Sequence, residues 1–434
     1  MKKAHFSLLV LLIAALLLAA CAPATPTEAP PEATEVATEE APPEATEEAP
    51  PEVTEAPAAV PEECAEEGAC AVYAPGAPIV IGFAGPMSGD VSAFGIDVSQ
   101  GVQLALEDAG EFEGHPFQMN AQDDQGTPEG GAAVANLFVS DPSIVGVVGH
   151  MFSGATNAAM PIYETAKVVM VSPSATRIDL TQQGFTVFNR VVASDLFQGD
   201  VAANFIFNEL GATKLAIIHD GGAYGQGLAE RTREVFTSLG GEVVAFEAIT
   251  PGETDYTGVL TSIAALGPEA IFFGGYTGEG AVLASQKATV GLADVPFVSD
   301  DGIYGTQFIE LAGAAAEGVY CTSAATPPES DAKADFDARY EAKFGVAAGA
   351  LSPYSWFGYD AANVIIEGIK KVAIVAEDGT LYIPRAALAE AVRSTSGYQG
   401  LTGEITCDET GECKRGGFAV FQVQNGAWVE LPSE

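Results

Sequence analysis

Residues 78–434 read as an α/β protein built from two doubly wound parallel-sheet lobes. Three observations predict this. Short apolar runs alternate with amphipathic segments, the joints between them are short and rich in Gly and Asp, and the series occurs twice. Strand then helix, repeated, implies parallel sheets covered on both faces. The stretch also exceeds the usual size of one domain, which points to two.

In the first series, strands are expected at 79–84, 117–122, 144–149 and 168–171, with helices at 101–109, 129–138 and 157–166. The second series places strands at 215–219, 242–247, 270–274 and 297–299. Its helices fall at 198–210, 227–239, 258–266 and 280–290, where apolar residues recur with helical period.

The first 77 residues have a different character. Lys2 and Lys3 precede an apolar stretch from Leu8 to Ala20, and Cys21 follows Leu18-Ala19-Ala20. This is a secretory signal pattern ending in small residues, and it is shorter than the about 20 residues a membrane span needs. The four residues ending at Cys21 resemble a bacterial lipobox, which implies lipidation of Cys21 as the first residue of the mature chain. From 22 to about 61 the motif Glu-Ala-Pro-Pro-Glu recurs, at 28–32, 40–44 and 48–52. Pro removes backbone donors, like charges repel, and little apolar surface is available to bury, so an extended tether is expected.

The formal charge is −41, and only 14 of the 59 acidic residues lie between 22 and 77, so the body is itself strongly acidic. Such a surface repels nucleic acid. With Cys21 lipidated, five cysteines remain. Cys64 with Cys70, and Cys407 with Cys413 across a Gly-containing turn, are expected to form local disulfides outside the cytoplasm. Cys321, in Gly318-Val319-Tyr320-Cys321, reads as a buried strand thiol.

Ligands of open α/β sheets sit beyond the carboxyl ends of the strands. The segments to inspect are therefore 85–95, 150–156, 172–176, 220–226, 275–279 and 300–304, which are rich in Gly, Ser, Thr, Tyr and Asp. They offer hydroxyl and backbone donors but few strong bases or nucleophiles. No Gly-x-Ser-x-Gly elbow occurs, Ser153 has no evident base, and His115, His150 and His219 lack metal-ligand spacing. The Gly-rich stretches 221–227 and 274–280 lack dinucleotide-binding spacing, and Asp123-Asp124 reads as turn or hinge. No enzyme, cofactor or metal is expected. Trp356 and Tyr359 read as helix packing first and cleft wall second.

An ordered set of motifs resembles the branched-chain amino acid-binding protein family. It begins with Ile79-Val-Ile-Gly-Phe-Ala-Gly-Pro-Met-Ser-Gly89 and Ala93-Phe94-Gly95, then Asp123-Asp124, Val147-Val148-Gly149-His150 and Ser172-Pro173-Ser174-Ala175-Thr176. Ala216-Ile217-Ile218-His219-Asp220, Tyr224-Gly225-Gln226-Gly227 and Phe273-Gly274-Gly275-Tyr276 follow. Gly403-Glu404-Ile405-Thr406 and Gly417-Phe418-Ala419-Val420-Phe421 resemble the family's closing hairpin.

The resemblance implies a type I periplasmic-binding fold, whose lobes are joined by a hinge with three crossovers. It divides the chain into a signal peptide (1–20), a tether (21–77), lobe 1 (78–195 plus 325–414) and lobe 2 (196–324 plus 415–434). By position, Ser153 and Thr176 would bind a ligand carboxylate, while the Ser174 carbonyl and Asp301 would take its ammonium. Tyr224 and Tyr276 would close over the ligand, with Phe94 and Phe152 beside its side chain. Two departures stand out: Gln125-Gly126 and Phe152 replace the family's disulfide, and Asp301 is one methylene shorter than the family's Glu.

The implied function is a monomeric, lipid-anchored receptor on the outer face of the cell membrane. It would deliver an α-amino acid, branched-chain or otherwise small and apolar, to an ABC permease and its ATPase. Alternatives are a receptor for an amide, urea or an aromatic acid, or a lipid-anchored sensor.

Overall fold

The computed structural model describes residues 60–432; the signal-like segment, Cys21 and the repeats up to residue 59 lie outside the described residues. The expected tether ends well before residue 77. A disulfide joins Cys64 to Cys70, and strand β1 (Cys70–Tyr73) pairs antiparallel with a strand at Leu381–Pro384. Ala71 and Tyr73 face inward, and the Tyr73 hydroxyl donates to Ser143 O at 2.7 Å, so this short alternating run has a core to join.

The first half continues with β2 (Ile79–Gly85), α1 (Ser92–Ala109), β3 (Glu111–Phe112), β4 (His115–Asp123) and α2 (Pro128–Ser140). Then come β5 (Ile144–Val148), α3 (Ser153–Ala166), β6 (Val169–Ser172) and β7 (Phe188–Arg190). Their sheet runs β3-β4-β2-β5-β6-β7, all parallel except the β3–β4 edge.

The second half begins with α4 (Asp195–Asn204), β8 (Lys214–His219), α5 (Ala223–Ser238), β9 (Glu242–Ala248) and α6 (Thr257–Ala264). Next are β10 (Ala270–Gly274), α7 (Thr277–Gln286), β11 (Phe297–Ser299), α8 (Thr306–Ala312) and β12 (Tyr320–Ala324). The chain then returns through α9 (Asp331–Phe344), α10 (Ser355–Val372), β13 (Ile374–Val375), β14 (Leu381–Pro384) and α11 (Arg385–Arg393). It ends with β15 (Tyr398–Gly400), β16 (Gly403–Ile405), β17 (Phe418–Gln424) and β18 (Ala427–Glu430).

The second large sheet runs β18-β17-β12-β11-β10-β8-β9. Its first five strands in sequence are parallel and repeat the order of the first sheet, while β17 and β18 extend it antiparallel. The chain therefore passes between the sheets three times, at 191–194, 325–330 and 414–417. One correction concerns the closing hairpin. Residues 403–405 pair with β15 in a separate two-stranded ribbon, whereas β17 pairs with β12 and β18. The two motifs belong to different sheets.

The central strands of both sheets are buried on both faces. Phe83, Val147, Val148 and Met170 lie in one core and Ile218, Ile271, Phe273 and Phe297 in the other, all at most 1% exposed. Cys321 is buried in β12, and among the described residues it is the one cysteine outside a disulfide. Trp356 packs with Phe336 and Tyr340 while its Nε1 donates to Asp337, a purely packing position.

Candidate functional site

Each sheet reverses its winding once, between β2 and β5 in lobe 1 and between β8 and β10 in lobe 2. A crevice opens beyond the strand ends where the helices depart to opposite faces. The two crevices face each other, and Phe94, Met151, Phe152, Ser153, Ser174, Tyr224, Tyr276, Asp301, Gly302 and Tyr354 line one cavity between them. Seven of the eight ligand residues expected from sequence thus meet in one place. Thr176 is buried behind this lining, with its carbonyl accepting from Asp195 N at 2.8 Å.

Local backbone demands place the aromatic walls. Phe94 lies in the first turn of α1, where a Cβ on Gly95 would stand 1.9 Å from Pro86 O. Only glycine lets helix and preceding loop approach so closely. In lobe 2 a Cβ on Gly225 would meet Gly274 O at 2.4 Å, and one on Gly274 would meet Gly225 O at 2.3 Å. This backbone contact between α5 and the end of β10 brings Tyr224 and Tyr276 together, ring centroids 5.7 Å apart.

The lobes touch through aromatic rings and one carboxylate. Phe152 stacks on Tyr276 with centroids 4.5 Å apart and planes at 21°, and Phe94 meets Phe152 edge-on at 5.7 Å. Asp301 Oδ1 accepts from Tyr224 OH at 2.6 Å and from Gln198 Nε2, while Oδ2 accepts from Tyr354 OH at 2.7 Å. Tyr354 comes from lobe 1, ahead of α10, so this bond bridges the cleft. Burial pushes the Asp301 carboxyl above its ordinary pKa, against the pull of those three donors. Asp300 behind it is pushed up by burial and then by Asp301.

The lobe 1 wall is built differently. Ser153 is the first residue of α3, with Phe152 as its N-cap, and its Oγ accepts from Arg177 N at 3.3 Å. Free amide donors and the positive end of a helix dipole favour an anion there. The Ser174 hydroxyl donates to Met151 O at 2.9 Å, so the Ser174 and Ser153 loops are tied together. Thr176 Oγ1 is buried against the Asp195 carboxyl, behind the residues that line the cavity. Fully buried Arg190 holds this loop by donating to Ala175 O at 3.0 Å, Arg177 O at 2.7 Å and the Glu412 carboxylate. Glu412 sits inside the loop closed by the Cys407–Cys413 disulfide.

The histidines among the described residues are engaged structurally. His150 bonds Asp124 at 2.7 Å and Tyr163 at 3.0 Å, His115 contacts Ala77 O and Gly379 O, and His219 Nδ1 accepts from Gly221 N. Asp123 shapes its turn by accepting from Met87 N and Gln125 N. Among the described residues no group of three His, Cys, Asp or Glu is placed to hold a metal, and no helix is long and apolar enough to cross a membrane.

Sequence reasoning missed Tyr354 and Gln198, whereas Met151 and Gly302 fall within the marked segments 150–156 and 300–304 without being singled out. Tyr354 precedes a strongly apolar helix in a stretch with no strand–helix signal before it. Gln198 was read as the start of a helix, with nothing in its spacing to show that it turns toward Asp301.

Comparison with known proteins matches this architecture. The sequence profile described as periplasmic binding protein fits residues 78–427. A Leu/Ile/Val-binding protein homolog from Brucella melitensis biotype 1 is 31% identical over 82% of this chain and 94% of its own. An amino acid binding protein from Pseudomonas aeruginosa is 32% identical over 82% and 93%. Among solved structures, the leucine binding protein LivK from Thermotoga maritima superposes with a TM-score of 0.74 at 28% identity, covering 82% of this chain and 98% of that one. LivJ from Streptococcus pneumoniae, in complex with isoleucine, gives 0.72 at 27%, covering 82% and 100%. The matched profile, the full-length relatives and the two facing crevices agree: the chain belongs to the periplasmic binding protein family, a family of extracytoplasmic solute receptors.

Proposed function

We propose that the protein is a lipid-anchored receptor that holds an α-amino acid between its lobes and presents it to an ABC importer. One observation carries the reading. A helix N-terminus with Ser153, and Ser174 beside it, share one cavity with a buried carboxylate, Asp301, and aromatic rings wall it. Hydroxyls and peptide N–H groups suit a carboxylate, a buried carboxylate suits an ammonium, and apolar rings suit a small apolar side chain. A zwitterion matched at both ends draws the lobes together, so binding and closure become one event that a permease can read. A relative named as a Leu/Ile/Val-binding protein homolog, and LivJ solved in complex with isoleucine, support the ligand class. Anchoring rests on Cys21 following a signal-like segment.

A thermal-unfolding screen of the ligand-stripped protein against the common amino acids tests this. A ligand at one hundred times its Kd adds about 2.7 kcal/mol of stability, which raises Tm visibly. The expected result is stabilisation by a few amino acids, recovered chemically unchanged. Stabilisation only by urea, an amide or an aromatic acid would move the receptor to another ligand class.

A further inference from the structure

A buried carboxylate behind the cavity is bonded to the segment that carries Tyr354 across the cleft. Helix α1 lends Phe94 to the cavity wall, and Asp97, three residues on, lies on the same side of the helix. Asp97 is fully buried, a position that costs a carboxylate heavily unless hydrogen bonds surround it. Ser352 Oγ donates to its Oδ2 at 2.7 Å, and the Tyr340 hydroxyl stands 2.7 Å from its Oδ1. The same Ser352 oxygen accepts from Tyr354 N at 3.2 Å. Tyr354 is the N-cap residue of α10, but its side chain makes no capping bond and instead reaches Asp301 Oδ2. The Ser355 and Tyr354 amides also face Asp97 and stabilise its charge. A carboxylate on α1 therefore supplies what the start of α10 needs.

The frame around these bonds is tight. A Cβ on Gly101 would stand 2.1 Å from Ser355 O, and one on Gly358 would stand 2.8 Å from Val98 O, so α1 and α10 touch backbone to backbone. Residues 350–354 meet lobe 2 at both ends. Thr306 N donates to Ala350 O at 3.2 Å, and the Tyr354 hydroxyl donates to Asp301 at 2.7 Å. Ser352, held by Asp97, lies between the two contacts.

Resting on the reading of the cleft as the ligand site, we infer that Asp97 is a positioning residue for binding. Through Ser352 it sets the Tyr354 phenol where it meets Asp301 as the lobes close. Asp97 does not itself line the cavity, so its effect on the ligand passes through Tyr354. A bond made only in the closed form raises affinity by raising the population of that form. A Tyr354 ring that can shift keeps its packing but loses this bond, and the open form gains.

The test is a double-variant cycle in affinity, by calorimetric titration of the full-length protein at pH 8 with the best amino acid found. That pH lies above the value of about 7 to which burial raises the Asp97 carboxyl, so the wild type carries the charge. Asp97→Asn keeps the side-chain shape but leaves one acceptor oxygen where two hydroxyls meet. It should weaken binding at least ~5-fold alone, and less than ~2-fold when Tyr354→Phe is already present. The urea midpoint should instead fall equally in both backgrounds, since the contacts at the start of α10 are lost in each. Ser352→Ala repeats the cycle from the other side of the bond and should show the same pattern. Affinity within ~2-fold of wild type in both Asp97→Asn and Ser352→Ala, or equal losses with and without the Tyr354 hydroxyl, would overturn the role. A wild type that binds no amino acid removes the ligand reading alone. Small-angle scattering of the unliganded proteins then decides: a larger radius of gyration in Asp97→Asn supports the positioning role, and an unchanged one refutes it.

Discussion

Replacing Arg190 by methionine tests how the ligand-side loop is held. The Arg190 guanidinium is fully buried and donates to Ala175 O, Arg177 O and both oxygens of Glu412, whose side chain is only 18% exposed. Arg190→Met leaves that carboxylate and two carbonyls without their donor. Breaking a buried ion pair from one side costs about 3–5 kcal/mol, mostly through the charge left behind. Glu412→Gln removes that charge, so the double variant Arg190→Met/Glu412→Gln should cost at least about 2 kcal/mol less than the sum of the single changes. Urea unfolding followed by tryptophan fluorescence reads this directly, because Trp356 and Trp428 report on different lobes. Ligand affinity should fall at the same time, since residues 175–177 lose their brace. A loss under about 1 kcal/mol for Arg190→Met, or strict additivity in the double variant, would refute the bracing role.

Other outcomes follow from the same structure. Buried Asp97 and Asp195 are pushed up to about 7, and Asp220 and Asp360 to about 6, by burial in each case. Such groups hold protons in the folded state that the unfolded chain has released, so stability falls as pH rises from about 4 to 7. Tm should therefore be higher at pH 5 than at pH 7.5 by about 3 °C or more, and a Tm that rises with pH across this window would contradict it. Removing the Cys407–Cys413 disulfide with paired serines should cost about 2 kcal/mol, the loop-closure value for so short a loop, and should also weaken ligand binding through Glu412. Tyr354→Phe takes one donor from Asp301 and one bond that bridges the lobes, so affinity should drop about tenfold with little change in unfolding midpoint. Phe152→Ala should shift the preference toward longer apolar side chains, measured as a change in the affinity ratio of leucine to alanine.

Much of this fold was legible because doubly wound sheets write themselves into sequence as apolar strands at regular intervals. All eight expected strands correspond to observed ones, within one or two residues at most ends. Helix starts were less legible, for a physical reason. Helices α1, α3, α5 and α7 begin at Ser92, Ser153, Ala223 and Thr277, three to nine residues ahead of the expected starts. Their first turns face the cleft rather than the core, so they carry Gly, Ser, Thr and Tyr and show no apolar period. The same turns hold Phe94, Ser153 and Tyr224, so the positions that periodicity misreads are ones the cleft uses. Tyr354 and Gln198 escaped because their bonds to Asp301 depend on how distant segments approach, which no local pattern encodes. The tether was extended too far because Glu62, Glu63, Glu66 and Glu67 continue its composition while a disulfide and four strand residues already belong to the body.

The most direct test of the central claim is calorimetric titration of the protein, refolded free of carried-over ligand, against the common amino acids, with Ser153→Ala in parallel. The account predicts saturable one-to-one binding of a few small apolar amino acids, weakened at least about tenfold by Ser153→Ala. Heat with no amino acid, or equal affinity in the two proteins, would contradict it.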